Sequence, residues 1–281
     1  MKKTIQIQTT TFCPARCKIC PRSVPDCFLN KVRAYMLDDV FSCIVTEIKD
    51  NEIVVPKLPL YMQAEPLTDP KLTNRIVEIK ERIGSQVEQV ELSTNGVLLN
   101  SEKSKQLIEA SVGISMTVWL SFNGTTPEEY AQVNSLPYDV VLDNILRFLK
   151  DSDDAKITRK IMTSTEEAKA EAFWTRNAAK YKIKRLPKLK FFKPNNRAGN
   201  VPSTSGGSSE NWKKCIRPKR WLHFNWNGDA ILCCNDYENE VVFGNIVDLG
   251  IMEIVKRIPK ILAKEAQKET FICNRCNKRY K

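Results

Sequence analysis

Thr11-Phe12-Cys13-Pro14-Ala15-Arg16-Cys17-Lys18-Ile19-Cys20-Pro21-Arg22 is the stretch that decides how this chain is read. Its three cysteines stand four and three residues apart, directly after the alternating run Thr4–Thr10, a predicted strand. A loop this short can bring three thiolates to one point, and it offers no fourth. A structural zinc ion takes four protein ligands in a closed tetrahedron. An iron–sulfur cluster accepts the same soft ligands and, held by three of them, keeps one iron open to something else. The competing reading is a zinc knuckle completed by a distant cysteine.

Composition narrows the setting. The chain has 281 residues, enough for one large core or a core plus an appended module. No apolar run approaches the ~20 residues that span a bilayer. Met1-Lys2-Lys3-Thr4-Ile5-Gln6 holds no apolar segment of a secretory signal. A cytoplasmic protein without membrane contact is therefore expected, and its ten cysteines read as ligands rather than disulfides. The single histidine, His223, excludes sites that need two from one chain, and it is expected to be packed rather than catalytic. Lys plus Arg number 44 against 33 for Asp plus Glu, and the excess is densest between Lys180 and Arg220. Such a surface attracts phosphates or carboxylates, or is simply solvated. It suits a polycationic substrate poorly.

After Cys20, strand-like and helical patterns alternate. The predicted strands are Thr4–Thr10, Leu58–Gln63, Val87–Ser93, Ile114–Phe122, Lys156–Ser164 and Leu186–Phe192. The predicted helices are Asp38–Lys49, Leu72–Ile83, Ser101–Ser111, Pro127–Lys150 (broken at Pro137) and Glu166–Tyr181. Six strands alternating with helices predict parallel strands joined by right-handed crossovers. A full eight-stranded barrel takes ~250 residues. This series ends near residue 195, so the expected α/β fold is a partial (β/α)6 barrel over residues 1–199. From Val201 to Ser209 the composition is that of a linker. A second domain over 200–281 is expected to be a small β-hairpin, turning at Asn227-Gly228, followed by a strand over Val241–Ile246 and a helix over Gly250–Gln267.

The second domain holds its own cysteine set. Cys215 and Cys233 flank the hairpin, and Cys273-Asn274-Arg275-Cys276 closes the chain. Four thiolates from two distant places can make a closed site, for zinc or for a cluster. Cys27 and Cys43 are expected to pack as small apolar residues. Cys234 adjoins a presumed ligand, and on a strand it would face the opposite way from Cys233.

Barrel active sites sit at the carboxyl ends of strands. The first end carries the cysteine triplet. The next three read Gln63-Ala64-Glu65-Pro66, Ser93-Thr94-Asn95-Gly96 and Ser121-Phe122-Asn123-Gly124. Together with the C-x-x-x-C-x-x-C spacing, this series resembles the radical S-adenosylmethionine superfamily. The second cysteine set resembles that family's shortened SPASM extension, the twitch domain. The resemblance implies one 4Fe–4S cluster on Cys13, Cys17 and Cys20, whose open iron binds S-adenosylmethionine. It implies an auxiliary 4Fe–4S cluster on Cys215, Cys233, Cys273 and Cys276. Cofactor contacts would come from the carbonyls of Gln63 and Ala64, the Glu65 carboxylate, Thr94, Asn95, Ser121 and Asn123. Gln63-Ala64 replaces the family's two glycines, which puts a side chain where the ligand approaches. Family members oxidise aminocyclitols, epimerise aminoglycosides or modify ribosomally made peptides. An external donor of the flavodoxin or ferredoxin type is implied, and Cys234 is the candidate hydrogen donor of an epimerase. The rival of another class is a non-enzymatic zinc protein that binds nucleic acid, which would need neither Glu65-Pro66 nor the strand-end series.

Overall fold

The computed structural model describes residues 1–201 and 215–277. The predicted linker beyond Val201 lies outside the described residues, as do Lys213 and Lys214 of the basic run. Six strands form in the predicted order, each shorter than its apolar run: β1 Thr4–Ile7, β2 Leu58–Pro59, β3 Val90–Thr94, β4 Met116–Ser121, β5 Ile157–Thr163 and β6 Lys188–Phe191. Between them lie α1 Phe28–Lys31, α2 Asp38–Asp50, α3 Leu72–Ile83, α4 Ser101–Ala110, α5 Pro127–Val133, α6 Tyr138–Asp151 and α7 Glu167–Tyr181. Strands β2 to β6 run parallel in chain order. Backbone bonds from Lys3 N to Val54 O (3.1 Å) and Ile5 N to Lys57 O (3.2 Å) attach β1 beside β2.

Local chemistry explains the boundaries. Asn100 caps α4 by accepting from Lys103 N, and Thr126 caps α5 ahead of Pro127, whose missing N–H costs nothing in a first turn. Pro137 separates α5 from α6. Helix α3 buries Leu72, Ile76, Ile79 and Ile83 against the sheet, each contributing about 1.5–3 kcal/mol. Arg159 on β5 and Asp153 beyond α6 form a buried ion pair of 3.1 Å. Asp153 also accepts from the backbone amides of Lys184 and Arg185, which ties the α7–β6 connection down.

The C-terminal part is less separate than its sequence suggests. Helix α8 Arg217–Arg220 leads into β7 Trp221–Phe224, β8 Asp229–Ile231 and β9 Val242–Asn245. β7 pairs parallel with β1, from Thr4↔Trp221 to Ile7↔Phe224, while β7–β8 and β8–β9 are antiparallel. An N-terminal strand has two edges to satisfy, and here β2 takes one and the hairpin the other. Gly228 has φ +84° at the hairpin turn, a conformation open to glycine. The final helix, α9 Ile246–Glu265, is non-helical at Gly250, the residue where the sequence pattern starts it. Glu47 of α2 accepts from Ile251 N at 2.7 Å and caps the stretch beyond this kink.

Candidate active site

The cysteine loop is strapped to its surroundings by backbone. Phe12 O accepts from Glu65 N (2.9 Å), and Lys18 N donates to Val133 O (2.9 Å). Arg16 N donates to Ser135 Oγ (2.6 Å). Cys20 N donates to Cys17 O (2.9 Å), which makes a tight turn between the second and third cysteines. Cys13 and Cys17 each lie within electrostatic reach of Cys20. Burial, and then the nearby Glu65 carboxylate, push the Cys13 thiol up to about 12. Burial raises Cys17 as well. Such thiols ionise only against a strong positive charge, which a metal or cluster supplies. Asn134 Nδ2 points at Cys17 Sγ (3.9 Å), and Tyr237 Oη lies 3.8 Å from Cys20 Sγ. N–H and O–H groups directed at sulfur are what ligating thiolates accept. The donor set therefore fits a cluster.

The strand ends converge above this loop, but several of their side chains are already engaged. Glu65 is 2% exposed, and its two carboxylate oxygens accept from Leu67 N (3.1 Å) and Asn95 N (2.8 Å). It ties the end of β2 to the end of β3. Thr94 Oγ1 accepts from Gly96 N, and Asn95 Oδ1 accepts from Val97 N, which forms the turn after β3. Asn123 accepts from Ser164 N and donates to Asn134 Oδ1, and so links β4, β5 and the end of α5. Ser121 is half-buried at the inward end of β4. Ala64 is half-buried beside Gln63, whose carbonyl lies 3.4 Å from Arg22 Nη1. The Gln63 side chain, at a position the family fills with glycine, does not enter the mouth. It donates to Asp236 O (2.9 Å) and Cys234 O (3.3 Å) of the C-terminal part.

The rear cysteines also assemble. Cys273 lies in electrostatic reach of Cys276 and Cys215, and Cys233 in reach of Cys273. Burial, then Cys276 and Cys215, push the Cys273 thiol up to about 12. Asn235 joins two of the four, its N–H 3.4 Å from Cys233 Sγ and its Nδ2 3.9 Å from Cys276 Sγ. Paired bonds between Asn196 and Asn277 (3.0 and 3.1 Å) and the Arg275 guanidinium on Ala198 O hold the last cysteines against the barrel's exit. Gly199 (φ +85°) makes room there, since a Cβ would lie 3.0 Å from the Arg275 side chain. Among the described residues no three His, Cys, Asp or Glu already form a cage for a single ion.

One placement corrects the sequence reading. Cys233 and Cys234 lie beyond β8, in a turn, so strand alternation does not set their directions. Cys234 sits within reach of Tyr61 and Tyr237, between the barrel and the rear set. His223 is buried, donates from Nδ1 to Gln6 Oε1 (2.8 Å), and is held neutral because burial pulls its pKa well below the usual value. Arg22, Asn134, Asn235 and Tyr237 were not singled out from sequence, although all but Asn134 lie within four residues of a cysteine. A surface cleft between α7 and β6 has no cysteine in its lining.

Residues 215–277 match the SPASM family model, described as an iron–sulfur cluster-binding domain. No curated protein sequence matches the chain. Among solved structures, BtrN in complex with AdoMet and 2-DOIA has 16% identity and a TM-score of 0.66, covering 99% of this chain and 94% of its own. Native anSMEcpe with bound AdoMet has 12% identity and a TM-score of 0.63, covering 96% and 87%. Streptococcus suis SuiB bound to precursor peptide SuiA has 12% identity and a TM-score of 0.62, covering 89% and 64%. With its cysteine loop at the mouth of a partial barrel, the chain shares the fold of BtrN and anSMEcpe and carries a C-terminal SPASM iron–sulfur cluster-binding domain.

Proposed function

We propose that this chain is a radical S-adenosylmethionine enzyme that removes a hydrogen atom from an unactivated carbon of its substrate. The observation that carries the reading is the strapped loop that presents Cys13, Cys17 and Cys20, with the Asn134 amide beside the Cys17 sulfur and the Tyr237 hydroxyl beside that of Cys20. Cys13, Cys17 and Cys20 would hold the first 4Fe–4S cluster, and Cys215, Cys233, Cys273 and Cys276 the second. Bound at the first cluster, S-adenosylmethionine supplies a 5′-deoxyadenosyl radical as the hydrogen-abstracting species. The chain's own part is to bind and orient. Glu65, Thr94, Asn95 and Asn123 fix the strand ends through backbone and side-chain bonds, and the Ala64 carbonyl and Ser121 hydroxyl are read as further cofactor contacts. We read residues 1–199 as the catalytic barrel and 200–281 as the auxiliary module, with an external ferredoxin- or flavodoxin-type electron donor.

The substrate class is read as a carbohydrate-like small molecule, in keeping with the similarity to BtrN in its complex with 2-DOIA. Cys234, within reach of Tyr61 and Tyr237, is read as the residue that returns a hydrogen atom and so epimerises, the thiyl radical left on it being reduced by one electron from the external donor and one proton. Oxidation is the second reading, because it needs no thiol. Anaerobically reconstituted protein is expected to hold about eight irons per chain. Replacing Cys13, Cys17 and Cys20 together by alanine should remove about half of them and abolish 5′-deoxyadenosine formation. Stoichiometric zinc in protein prepared without oxygen refutes the proposal.

A further inference from the structure

The inward face of the barrel carries a chemistry that hydrogen abstraction by itself does not use. The strand register sets Glu91, Thr117 and Thr158 in one row. Ser93, Trp119, Lys160 and Lys188 form the next, and Ser121, Met162 and Lys190 the one nearest the mouth. The residues that alternate with them, Val118, Leu120 and Ile161, are fully buried in the core shared with the helices, which fixes the sense of the face. Lys160 Nζ lies 4.2 Å from the Trp119 ring centroid. Glu91 is the one carboxylate in these rows, and it already faces Lys57 Nζ at 3.1 Å. Lys160, Lys188 and Lys190 thus outnumber the one carboxylate in these rows. Burial lowers the Lys160 pKa, Glu91 pulls it part of the way back, and Lys57, Lys188 and Lys190 add to the lowering.

A second observation comes from the buried polar atoms. Thr117 Oγ1, Trp119 Nε1, His223 Nε2 and both ends of the Gln8 side chain have no hydrogen-bond partner among the described residues. Thr117 is 0% exposed and Gln8 1%. Gln6, two residues before Gln8 on the same face, holds His223 Nδ1 and donates to Tyr61 O, and Tyr61 lies within electrostatic reach of Glu91. Gln6, His223 and Tyr61 are thereby joined to the row of Glu91 and Thr117, and Gln8 continues β1 with its N–H on Phe224 O. A solvated lysine edge accounts for Lys188 and Lys190, which are exposed, but not for unpartnered polar atoms buried below them. Each such group costs about 1–3 kcal/mol unless something pairs with it.

We infer that the barrel interior binds an anionic, hydroxyl-bearing substrate, its carboxylate or phosphate against Lys160 and its hydroxyls on Thr117, Gln8 and Trp119. This rests on the radical-enzyme reading and narrows its substrate class away from cationic aminocyclitols. The test is calorimetry on anaerobically reconstituted protein with S-adenosylmethionine, titrated with gluconate, glucose 6-phosphate, glucose and glucosamine. At least one of the two anions should bind about tenfold or more tighter than glucose, and glucosamine should bind weakest. The stronger anion identifies the charged group as carboxylate or phosphate. Lys160→Met, which keeps a long stem on Trp119, should lose about tenfold for that anion and leave glucose unchanged, while Lys160→Arg should retain it. Glucosamine or glucose binding as tightly as both anions overturns the inference. So does equal weakening of all four ligands in Lys160→Met, or no binding of either anion at millimolar concentration. The underlying reading fails separately, if the wild-type preparation holds no iron and forms no 5′-deoxyadenosine.

Discussion

Gln63 offers a sharp test of how the two halves are joined. Its side-chain NH2 group donates to the carbonyls of Asp236 and Cys234, across 171 to 173 residues of sequence, and Gln63 is 3% exposed. In Gln63→Ala both carbonyls lose their donor. The bond to fully buried Asp236 is the costlier loss, and with the longer one to Cys234 the penalty comes to about 2 kcal/mol, roughly a thirtyfold shift toward an open turn. Gln63→Glu is the harsher variant, since an ionised carboxylate only accepts and would face two carbonyls. Hydrogen exchange under anaerobic conditions reads the effect directly. The amides of Asp236, Glu240 and Val241, bonded within this turn, should exchange about thirtyfold faster in Gln63→Ala and faster still in Gln63→Glu. Amides of β4 and β5 serve as the internal control and should not change. Unaltered exchange of the turn in both variants refutes the clamp.

Two further outcomes are expected. Cys234→Ala should retain both sets of iron and 5′-deoxyadenosine formation while stopping product inversion, with the wild type placing one solvent deuterium in its product; an oxidised, unlabelled product from both proteins makes the enzyme a dehydrogenase. Asp153→Asn should cost about 3–5 kcal/mol in denaturant unfolding, because it leaves Arg159 buried without its partner. Burial works to raise the Asp153 pKa, but the Lys184 and Arg185 amides and Arg159 outweigh it and hold it below the ordinary value. The wild type's share of that stability should therefore be complete above about pH 4 and fade as the pH falls through the lowered pKa.

Much of the barrel was legible because its signals are local. Helix Leu72–Ile83 shows its buried face as a period, Asn100 and Thr126 announce helix starts, and the cysteine triplet identifies itself by spacing. The C-terminal hairpin was legible from Asn227-Gly228 in the same way. Its partner was not. Nothing in Thr4–Ile7 or Trp221–Phe224 specifies that two strands more than two hundred residues apart pair in parallel, because pairing is decided by which edges remain open once the barrel has formed. The strand-end residues show the same limit. Glu65 and Asn123 look from sequence like groups waiting for a ligand, yet both are occupied with neighbouring strand ends. Asn134 reaches Cys17 from the far end of α5 with no sequence signal at all.

The turn from Cys233 to Tyr237 ties these observations together. It supplies Cys233 to the rear thiols, and through Asn235 it reaches Cys276. Its carbonyls receive Gln63 from the barrel, and Tyr237 lies against Cys20 of the front set. Asp236 organises the turn from inside, accepting from Glu240 N and Val241 N. Five consecutive residues thus touch both cysteine sets and the end of β2. The departure from glycine at position 63 then has a physical cause: the position holds a donor that the turn requires. A module merely tethered to the barrel would need neither that side chain nor the β1–β7 ladder. The turn thus couples the rear thiols to the front loop through fixed hydrogen bonds, so a change at either end of it is felt at the other.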